Sequence, residues 1–411
     1  MIKYEKYKPS DIDWLGEIPS KWEVKRIKDV FKQISLNGNQ LPENCYIPLE
    51  NIEQFTGKLI QRVSNDNNET TNLFNSGDIL INKLRPYLGK IYLPDFNGGV
   101  SGEVVVLRPL LKGKFSHSKY FFYRFLSTKF IFKINSMTDG VKMPRTNPTK
   151  ILNLNIAIPQ LNEQKQISNY LDTKTQAIDK KINLLIQKAN YYKEYRKSII
   201  NEAVCKGLNK NVNLKNSDIN YINDIPEHWK TERIKDLFYI GRGRVIGQEL
   251  LVEEGRYPVY SSQTENNGCL GYIETYDFDN DLLTWTTDGA NAGTVFRRSG
   301  KFNCTNVCGT LIPKRKNLDL DYVVYALQES ATHNKRIDTN GAKIMNNEMA
   351  VINIAFPPLK EQTEIAKYLD IKTQTTDKIV ENINTQIITL KELRKTLIND
   401  VVTGKIKVTQ D

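Results

Sequence analysis

The chain contains two diverged copies of one unit, and this internal repeat constrains its fold more than any other feature of the sequence. The segment Ile-Pro-x-x-Trp at Ile18, with Arg-Ile-Lys-Asp shortly after it, recurs at Ile225. A second segment, Ile-Ala-x-Pro-x-Leu-x-Glu-Gln at Ile156, recurs at Ile354. Because self-similarity over a long period sets the architecture of a chain, we expect two structurally equivalent halves.

Each copy ends in a segment whose apolar residues recur with heptad spacing. The positions step alternately by four and three residues, with one arginine at the same step in each copy: Ile178, Ile182, Leu185, Ala189, Tyr192, Arg196, Ile199 and Ala203, then Thr376, Val380, Ile383, Ile387, Leu390, Arg394, Leu397 and Val401. This pattern predicts two helices of roughly 40 residues, about 60 Å long. Prolines precede them and glycines follow them, at Pro159 and Gly207 and at Pro357 and Gly404.

We expect the two helices to pack on each other as an antiparallel coiled coil, because they share one length and one register. Two ordinary amphipathic helices on separate cores are the alternative. The repeated arginine pairs with carboxylates at the seam or fixes the register, and contact with a partner protein is the less favoured reading.

The regions before the helices mix β-like runs with helical stretches. The strand candidates are 78–81 and 103–107 in the first region and 257–260, 282–286 and 294–296 in the second, and the helical stretches are 119–132 and 320–329. The predicted fold class is α+β, with two mixed α/β globules separated by the two long helices and a pseudo-twofold internal repeat. The expected divisions are a globule at 1–155, a helix at 156–206, a globule at 207–355, and a helix with the C-terminal tail at 356–411.

The formal net charge of +11 permits a polyanionic partner. The basic excess lies in residues 1–155, whereas residues 207–355 are close to neutral, which counts mildly against nucleic-acid binding by the second globule. Five scattered cysteines fit a reducing cytoplasm better than a disulfide framework. We see no apolar run long enough to cross a membrane and no secretion signal, so we expect a cytoplasmic protein.

Several of these segments resemble one known family, in the family's order. They are Ile18-Pro19 with Trp22, residues 77–80 with 83–90, the Pro-x-Leu-x-Glu-Gln helix entry at both Pro159 and Pro357, and residues 284–296. Over essentially its whole length the chain resembles the specificity subunit of type I restriction–modification systems. No single motif is decisive, but the doubled order of globule and helix is specific.

The resemblance implies a division of labour. Each globule would be a target-recognition domain that reads one half of an asymmetric, bipartite site in double-stranded DNA. The helices would set the spacer between the halves and dock two methylation subunits, and motor-nuclease (restriction) subunits would join that complex. The chain would carry no cofactor, because S-adenosylmethionine would be held by the methylation subunit, and ATP and Mg²⁺ by the motor-nuclease subunit.

The sequence lacks the motifs that an enzyme of this kind needs. Pro357 and Pro358 do not stand in an Asn/Asp-Pro-Pro-aromatic tetrad, and no Gly-x-x-x-x-Gly-Lys-Ser/Thr loop is present. Cys304 and Cys308 could begin a zinc site, but buried free thiols are the better interpretation. The resemblance implies a larger methyltransferase and endonuclease complex, and together with this absence of motifs it predicts that the chain is a non-catalytic subunit of it.

Base and phosphate contacts require basic and polar side chains on exposed loops. The candidates for DNA binding are Lys83, Arg85, Lys90, Lys142 and Arg145 in the first globule, and Arg242, Arg244, Ser262, Gln263, Thr286, Thr287 and Lys343 in the second. The alternative for each is an ordinary solvated side chain. Residues 285–296 are first of all a structural hairpin that turns at Asp288-Gly289.

Trp22 and Trp229 occupy matched places, and we interpret them as core anchors where each globule meets a helix. Two other functional classes stay open. One is a free-standing nuclease or methylase, and the other is a structural or partner-assembly repeat protein with no role in DNA binding.

Overall fold

The computed structural model describes residues 2–38, 41, 43–64, 71–110, 116–339 and 341–408. The first half contains strands β1 (Tyr7–Pro9), β2 (Glu17–Pro19), β3 (Glu23–Arg26), β4 (Phe31–Ile34), β5 (Tyr46–Ile47), β6 (Thr71–Phe74), β7 (Ile79–Asn82), β8 (Ile91–Tyr92), β9 (Gly98–Ser101), β10 (Val104–Pro109) and β11 (Asn155–Ile158). Its helices are α1 (Ser118–Leu126), α2 (Thr128–Asn135), α3 (Pro148–Leu152) and the long α4 (Leu161–Lys206).

The second half repeats this order. Its strands are β12 (Leu214–Ile219), β13 (Ile222–Pro226), β14 (Lys230–Arg233), β15 (Phe238–Arg242), β16 (Tyr257–Tyr260), β17 (Cys269–Ile273), β18 (Phe278–Asp279), β19 (Leu282–Thr286), β20 (Val295–Arg298), β21 (Lys301–Cys304), β22 (Cys308–Pro313), β23 (Arg336–Asp338), β24 (Gly341–Lys343) and β25 (Asn353–Phe356). Its helices are α5 (Ile234–Leu237), α6 (Leu320–Asn334), α7 (Asn346–Val351) and the long α8 (Leu359–Val402).

The chain divides into two compact units, and each unit contains parts of both long helices. The first comprises residues 1–186 and 384–411, and the second comprises residues 187–383. Each unit therefore combines one globule with the N-terminal half of one long helix and the C-terminal half of the other. The two long helices therefore pair in antiparallel orientation, as the heptad pattern predicts.

The two globules share a sheet topology although their residues differ. The first has an antiparallel sheet in the order β4-β10-β7-β8, and the second has the equivalent sheet β15-β22-β19-β20. A further sheet in each contains one parallel pair, β5 with β9 and β16 with β21. The strand that precedes each long helix pairs antiparallel with the strand after the repeated tryptophan, β11 with β3 and β25 with β14.

The repeated tryptophans are fully buried in the cores of their units, which confirms their expected place. The indole Nε1 of Trp22 donates to Glu163 at 3.1 Å, and that of Trp229 donates to Glu361 at 3.0 Å. Both glutamates lie in the first turn of a long helix. The repeated Glu of the helix-entry motif thus satisfies the one polar atom of a buried indole.

The glutamine that follows each of these glutamates ties the helix entry to its globule. Gln164 donates to the carbonyl of Pro159 at 3.0 Å and accepts from the amide of His117 at 2.9 Å, just before α1. Gln362 makes the same two bonds, to Pro357 at 2.8 Å and from Asp319 at 2.9 Å, just before α6. The motif therefore recurs because each globule needs the same buried hydrogen bonds.

Matched tyrosines fix the next turns of the long helices. The hydroxyl of Tyr123 donates to Asp172 at 2.7 Å, and that of Tyr325 donates to Asp370 at 2.8 Å. Burial raises the pKa of Tyr325 to about 12, so this hydroxyl keeps its proton at neutral pH.

The glycines after the helices are required by close packing. Gly207 has a φ of +72°, and a side chain there would approach the ring of Trp229 to 2.9 Å. Gly404 has a φ of +78°, and its Cβ would overlap the ring of Pro19 and lie 3.3 Å from Trp22. Each tryptophan thus meets the N-terminus of one long helix and the residue just beyond the C-terminus of the other.

The predicted heptad positions form the seam. None of the sixteen is exposed, whereas most of their neighbours on α4 and α8 are. In the first unit Arg394 Nε lies 3.0 Å from Asp179, and in the second unit Arg196 Nε lies 2.9 Å from Asp377. These are ion pairs without hydrogen-bond geometry at Nε. The repeated arginine therefore pairs with a repeated aspartate of the other helix.

One predicted element differs from the structure. The stretch 119–132 is not one helix, because α1 and α2 are separated at Ser127, which is buried and extended with a ψ of 144°. The Ser127 hydroxyl donates to the carbonyl of Arg124 at 2.7 Å and so satisfies the end of α1. Among the described residues, no helix has the length and apolar character to cross a membrane.

Replacement of Gln164 or Gln362 by alanine is expected to lower the free energy of unfolding of its unit by about 1–3 kcal/mol, because each change leaves a buried carbonyl without its donor and a part-buried amide N–H without its acceptor. The matched control is Gln176→Ala, since Gln176 is exposed on α4, and its expected effect is within about 0.5 kcal/mol. Urea denaturation followed by circular dichroism measures both. Equal effects of the core and control substitutions would contradict the assignment.

Candidate nucleic-acid interface

A closed loop, residues 83–90, follows the central strand β7 of the first globule. The buried side chain of Asn82 donates to the carbonyls of Leu84 at 2.9 Å and Arg85 at 3.1 Å. Its Oδ1 accepts from the amide of Lys90 at 3.1 Å, so one side chain holds both ends of the loop. Arg85 has a φ of +51°. The loop is thus fixed by its own hydrogen bonds rather than by solvent.

A second loop, residues 136–147 between α2 and α3, joins the first through the backbone. The amide of Arg85 donates to Pro144 at 2.7 Å, and that of Thr146 donates to Lys83 at 2.9 Å. Leu84 and Arg145 form an isolated antiparallel bridge. The structure therefore brings Lys83, Arg85, Lys142 and Arg145 together on a two-loop surface, which we name the first paired-loop surface.

Three cations on this surface have no internal partner. Arg85 and Lys142 are exposed, Lys83 is half-buried, and their side chains make no hydrogen bond or ion pair within the described ranges. Arg145 differs, because its guanidinium binds both carboxylate oxygens of Glu103 at 3.0 and 3.2 Å. The first three positive charges are thus available to a phosphate backbone.

Lys90 is a structural residue, which corrects the expectation that it contacts DNA. It is 8% exposed, and its ammonium donates to the carbonyls of Leu49 at 2.9 Å and Glu50 at 3.2 Å. Burial lowers the pKa of this lysine, and Glu50 acts in the opposite direction. We therefore leave Lys90 out of the contact set.

The second globule builds an equivalent surface from different residues. Residues 287–294 follow β19 as the turn of the predicted hairpin, with Trp285 opposite Val295. The amide of Ile344 donates to Thr287 at 2.9 Å, and Asp288 and Lys343 form an antiparallel bridge. We name residues 287–294 with 341–344 the second paired-loop surface. Lys343 lies half-buried on it.

The sequence suggested Thr286 and Thr287 as direct DNA contacts. Both are buried beneath this surface, which corrects that expectation. The Thr286 hydroxyl donates to the carbonyl of Asn291 and accepts from the amide of Thr294. The Thr287 hydroxyl donates to Val307 at 2.8 Å. Both threonines shape the loop, as Asn82 does in the first globule.

The remaining candidates of the second globule are partly committed to internal partners. Ser262 donates to Val307, and Gln263 donates to the carbonyl of Cys269. Arg242 ends β15 and donates to Asn346 at 2.9 Å, and Arg244 pairs with Asp277 at 2.8 Å. Asp277 compensates the charge of Arg244 locally, whereas the neutral amide of Asn346 only orients Arg242.

Two features of these surfaces escaped the sequence reasoning. A glycine two residues before a lysine recurs in both second loops, at Gly140 and Lys142 and at Gly341 and Lys343, and both glycines have positive φ. This spacing was a signal that could have been found. Apolar side chains also stand in the first surface, where Val141 is fully exposed and Tyr87 is 46% exposed. Their exposure leaves no trace in the sequence pattern.

Among the described residues, no group of three or more His, Cys, Asp or Glu side chains could hold a metal ion. Cys304 and Cys308 are both buried.

The family model of the type I restriction modification DNA specificity domain matches this chain twice, at residues 19–188 and 226–389. Together the matches cover most of the chain and coincide with the internal repeat. Each match includes one paired-loop surface and the beginning of one long helix.

Relatives in Mycoplasma pneumoniae carry the same assignment. The chain is 34% identical over 241 residues to the putative type I specificity subunit S.MpnORF201P. The matched region covers 58% of this chain and 90% of that one. It is 38% identical over 168 residues to the type I restriction enzyme MpnII specificity subunit, over 41% of this chain and 49% of that one.

Solved structures share the fold. One belongs to a type I R-M system studied for complex assembly and conformational transition; it has a TM-score of 0.74 at 18% identity and covers 95% of this chain and 99% of that one. Another is the HsdS subunit from Thermoanaerobacter tengcongensis, with a TM-score of 0.56 at 16% identity over 95% and 98% of the two chains.

The structural role of Lys90 is open to a direct test. Lys90→Ala is expected to lower the free energy of unfolding by about 1–3 kcal/mol, because the buried lysine side chain and its hydrogen bonds to the carbonyls of Leu49 and Glu50 are lost. Lys83→Ala and Lys142→Ala are the matched controls, and we expect changes within about 0.5 kcal/mol, since neither side chain has an internal partner. Chemical denaturation measures all three. If the Lys90 variant is as stable as its controls, Lys90 is again a candidate for DNA contact.

Proposed function

This chain belongs to the type I restriction–modification DNA specificity family, and from that membership we propose that its two globules read the two halves of an asymmetric, bipartite DNA site. The observation that carries the proposal is the presence of one paired-loop surface on each globule. The two surfaces have equivalent backbones, and their side chains differ. Equivalent scaffolds with different side chains suit two different half-sites.

In the first globule the proposed contacts are Lys83, Arg85 and Lys142, with Arg145 held in place by Glu103. In the second they are Arg242, Arg244, Ser262, Gln263 and Lys343. Free cations serve phosphate contacts, whereas side chains already oriented by an internal hydrogen bond suit base edges, because their geometry is set before binding. We therefore expect the first globule to contribute the larger share of the salt-dependent affinity.

The long helices have two proposed tasks, to set the spacer and to dock two methylation subunits. Their seam is closed by apolar residues and by the two arginine–aspartate pairs, which favours a rigid spacer. Away from the seam, the helices carry exposed apolar side chains such as Tyr191 at 67% and Ile388 at 64%. Exposed apolar groups on a helix are typical of a protein interface.

The chain is a non-catalytic specificity subunit, so the chemistry belongs to its proposed partners. Methylation of adenine would use S-adenosylmethionine in the methylation subunits, and motor-nuclease subunits would use ATP and Mg²⁺. The cytoplasmic location inferred from composition stays a prediction.

The test is to reconstitute the chain with its methylation subunits and S-adenosylmethionine and to map methylated adenines across a genome. We expect one asymmetric split motif, methylated on both strands. An intact complex that methylates nothing would favour the competing role of a structural, partner-assembly repeat protein. Methylation or cleavage by the isolated chain would instead point to a free-standing enzyme.

Variants of the same complex assign the half-sites. Lys142→Ala is expected to weaken binding at all sites and to reduce the slope of log affinity against log salt by about 1. Arg145→Ala is expected to relax one half of the motif, which is then the half read by the first globule, because Glu103 already orients this guanidinium.

The spacer role is tested by removing one heptad from each long helix. Seven residues correspond to about 10 Å of helix, or about three base pairs of DNA. We expect a shortened spacer in the methylated motif, or loss of assembly, with both globules still folded by circular dichroism. Recognition of the original spacing with normal affinity would refute the spacer role.

A further inference from the structure

The two seam arginines make the same ion pair but lie in different surroundings. Arg394 is 7% exposed and its partner Asp179 is 15% exposed. Arg196 is 37% exposed and its partner Asp377 is 58% exposed. Equivalent pairs in a repeated helix seam should be equally solvated, so some element of the first unit covers the pair there.

That element is a hairpin of the first globule, residues 49–60, which we name the clamp hairpin. Its strands are joined by the bond from the amide of Glu53 to Lys58 at 2.9 Å and by that from Ile60 to Asn51 at 2.8 Å. At its tip Phe55 and Gly57 have positive φ of +58° and +73°. The tip is therefore a tight turn with a defined shape.

The tip docks on both long helices. Arg394 Nη1 donates to the carbonyl of Phe55 at 3.0 Å, and Nη2 donates to that of Thr56 at 2.9 Å. Lys58 pairs with Asp179 at 2.9 Å, and Lys395 lies 4.7 Å above the ring of Phe55. The planar fork of one guanidinium thus spans two consecutive carbonyls while its Nε faces Asp179, which the single ammonium of a lysine cannot reproduce.

The other side of the clamp hairpin holds the recognition loop 83–90. The amide of Phe55 donates to the carbonyl of Gly89 at 3.1 Å, and a Cβ at Gly89 would lie 2.9 Å from the Phe55 ring. Lys90 completes the link through its bonds to the carbonyls of Leu49 and Glu50. A continuous path of hydrogen bonds therefore runs from the helix seam through the hairpin to the loop that carries Lys83 and Arg85.

The second unit has no such path in its described residues. Arg196 makes no hydrogen bond to a carbonyl there and lines an open groove with Thr294, Phe296 and Tyr325. We infer that Arg394 is a positioning residue that fixes the recognition loop of the first globule on the helix seam, and that the second globule lacks this control. The inference rests on the proposed function.

The test compares Arg394→Lys with the matched Arg196→Lys in the full complex with methylation subunits. Both substitutions keep a positive charge opposite the aspartate. Only Arg394→Lys removes a guanidinium that donates to two carbonyls, those of Phe55 and Thr56. The substrates are DNA sites with single-base changes in either half, and the measurement is the rate of adenine methylation. The half read by the first globule is the one that Arg145→Ala relaxes.

Arg394→Lys is expected to raise methylation of sites altered in the first globule's half, relative to the other half, by at least about fivefold, the lower end of what one good base contact contributes. Arg196→Lys is expected to change neither half. An equal change in both halves, or none in either, would overturn the inference and leave Arg394 a structural residue.

A second variant tests the inference if the complex with Arg394→Lys does not assemble. Lys58→Met removes the other tie of the clamp hairpin, and Lys58 is 48% exposed, so folding should be unaffected. We expect the same bias between halves, at smaller size, and its absence would overturn the inference. Failure of the wild-type complex to methylate any split motif is a different result, which removes the proposed function itself.

Discussion

A buried indole at the base of each globule joins that globule to both long helices. Trp22 donates to Glu163 at the start of α4 and packs near Gly404 after α8, and Trp229 donates to Glu361 at the start of α8 and packs on Gly207 after α4. A buried indole N–H without an acceptor is unfavourable, and a glycine is needed where a side chain would overlap the ring. Each unit therefore requires the end of one helix and the beginning of the other, and the antiparallel pairing follows.

This arrangement separates the residues that maintain the fold from those that we propose to read DNA. The repeated motifs supply buried hydrogen bonds, such as those of Gln164 and Gln362, which have the same geometry in both units. The paired-loop surfaces use backbone bonds between loops, so their side chains are free to differ. Asn82 in one globule and Thr286 in the other stabilise equivalent loops by different bonds. Two half-sites can thus be read by one architecture.

The repeat is not symmetric in its electrostatics. Among the residues that the structure describes, Lys83, Arg85 and Lys142 of the first globule have no internal partner, whereas Arg244 of the second pairs with Asp277. The seam arginines also differ in exposure, because in the described part of the chain the clamp hairpin covers Arg394 and no loop covers Arg196. The clamp hairpin, which covers Arg394, accounts for the difference between the two seam arginines.

The sequence by itself determined the repeat, the two long helices, the prolines before them and the glycines after them, the seam and the buried tryptophans. These features depend on local periodicity, on proline and glycine at helix ends, and on matches within the chain. It did not determine that α1 and α2 separate at Ser127, nor which basic residues remain available. The tertiary structure decided that Lys90 is buried on the carbonyls of Leu49 and Glu50 and that Arg145 binds Glu103. The physical reason is that burial and partner choice are set by groups about 40 residues away, and no local pattern records them.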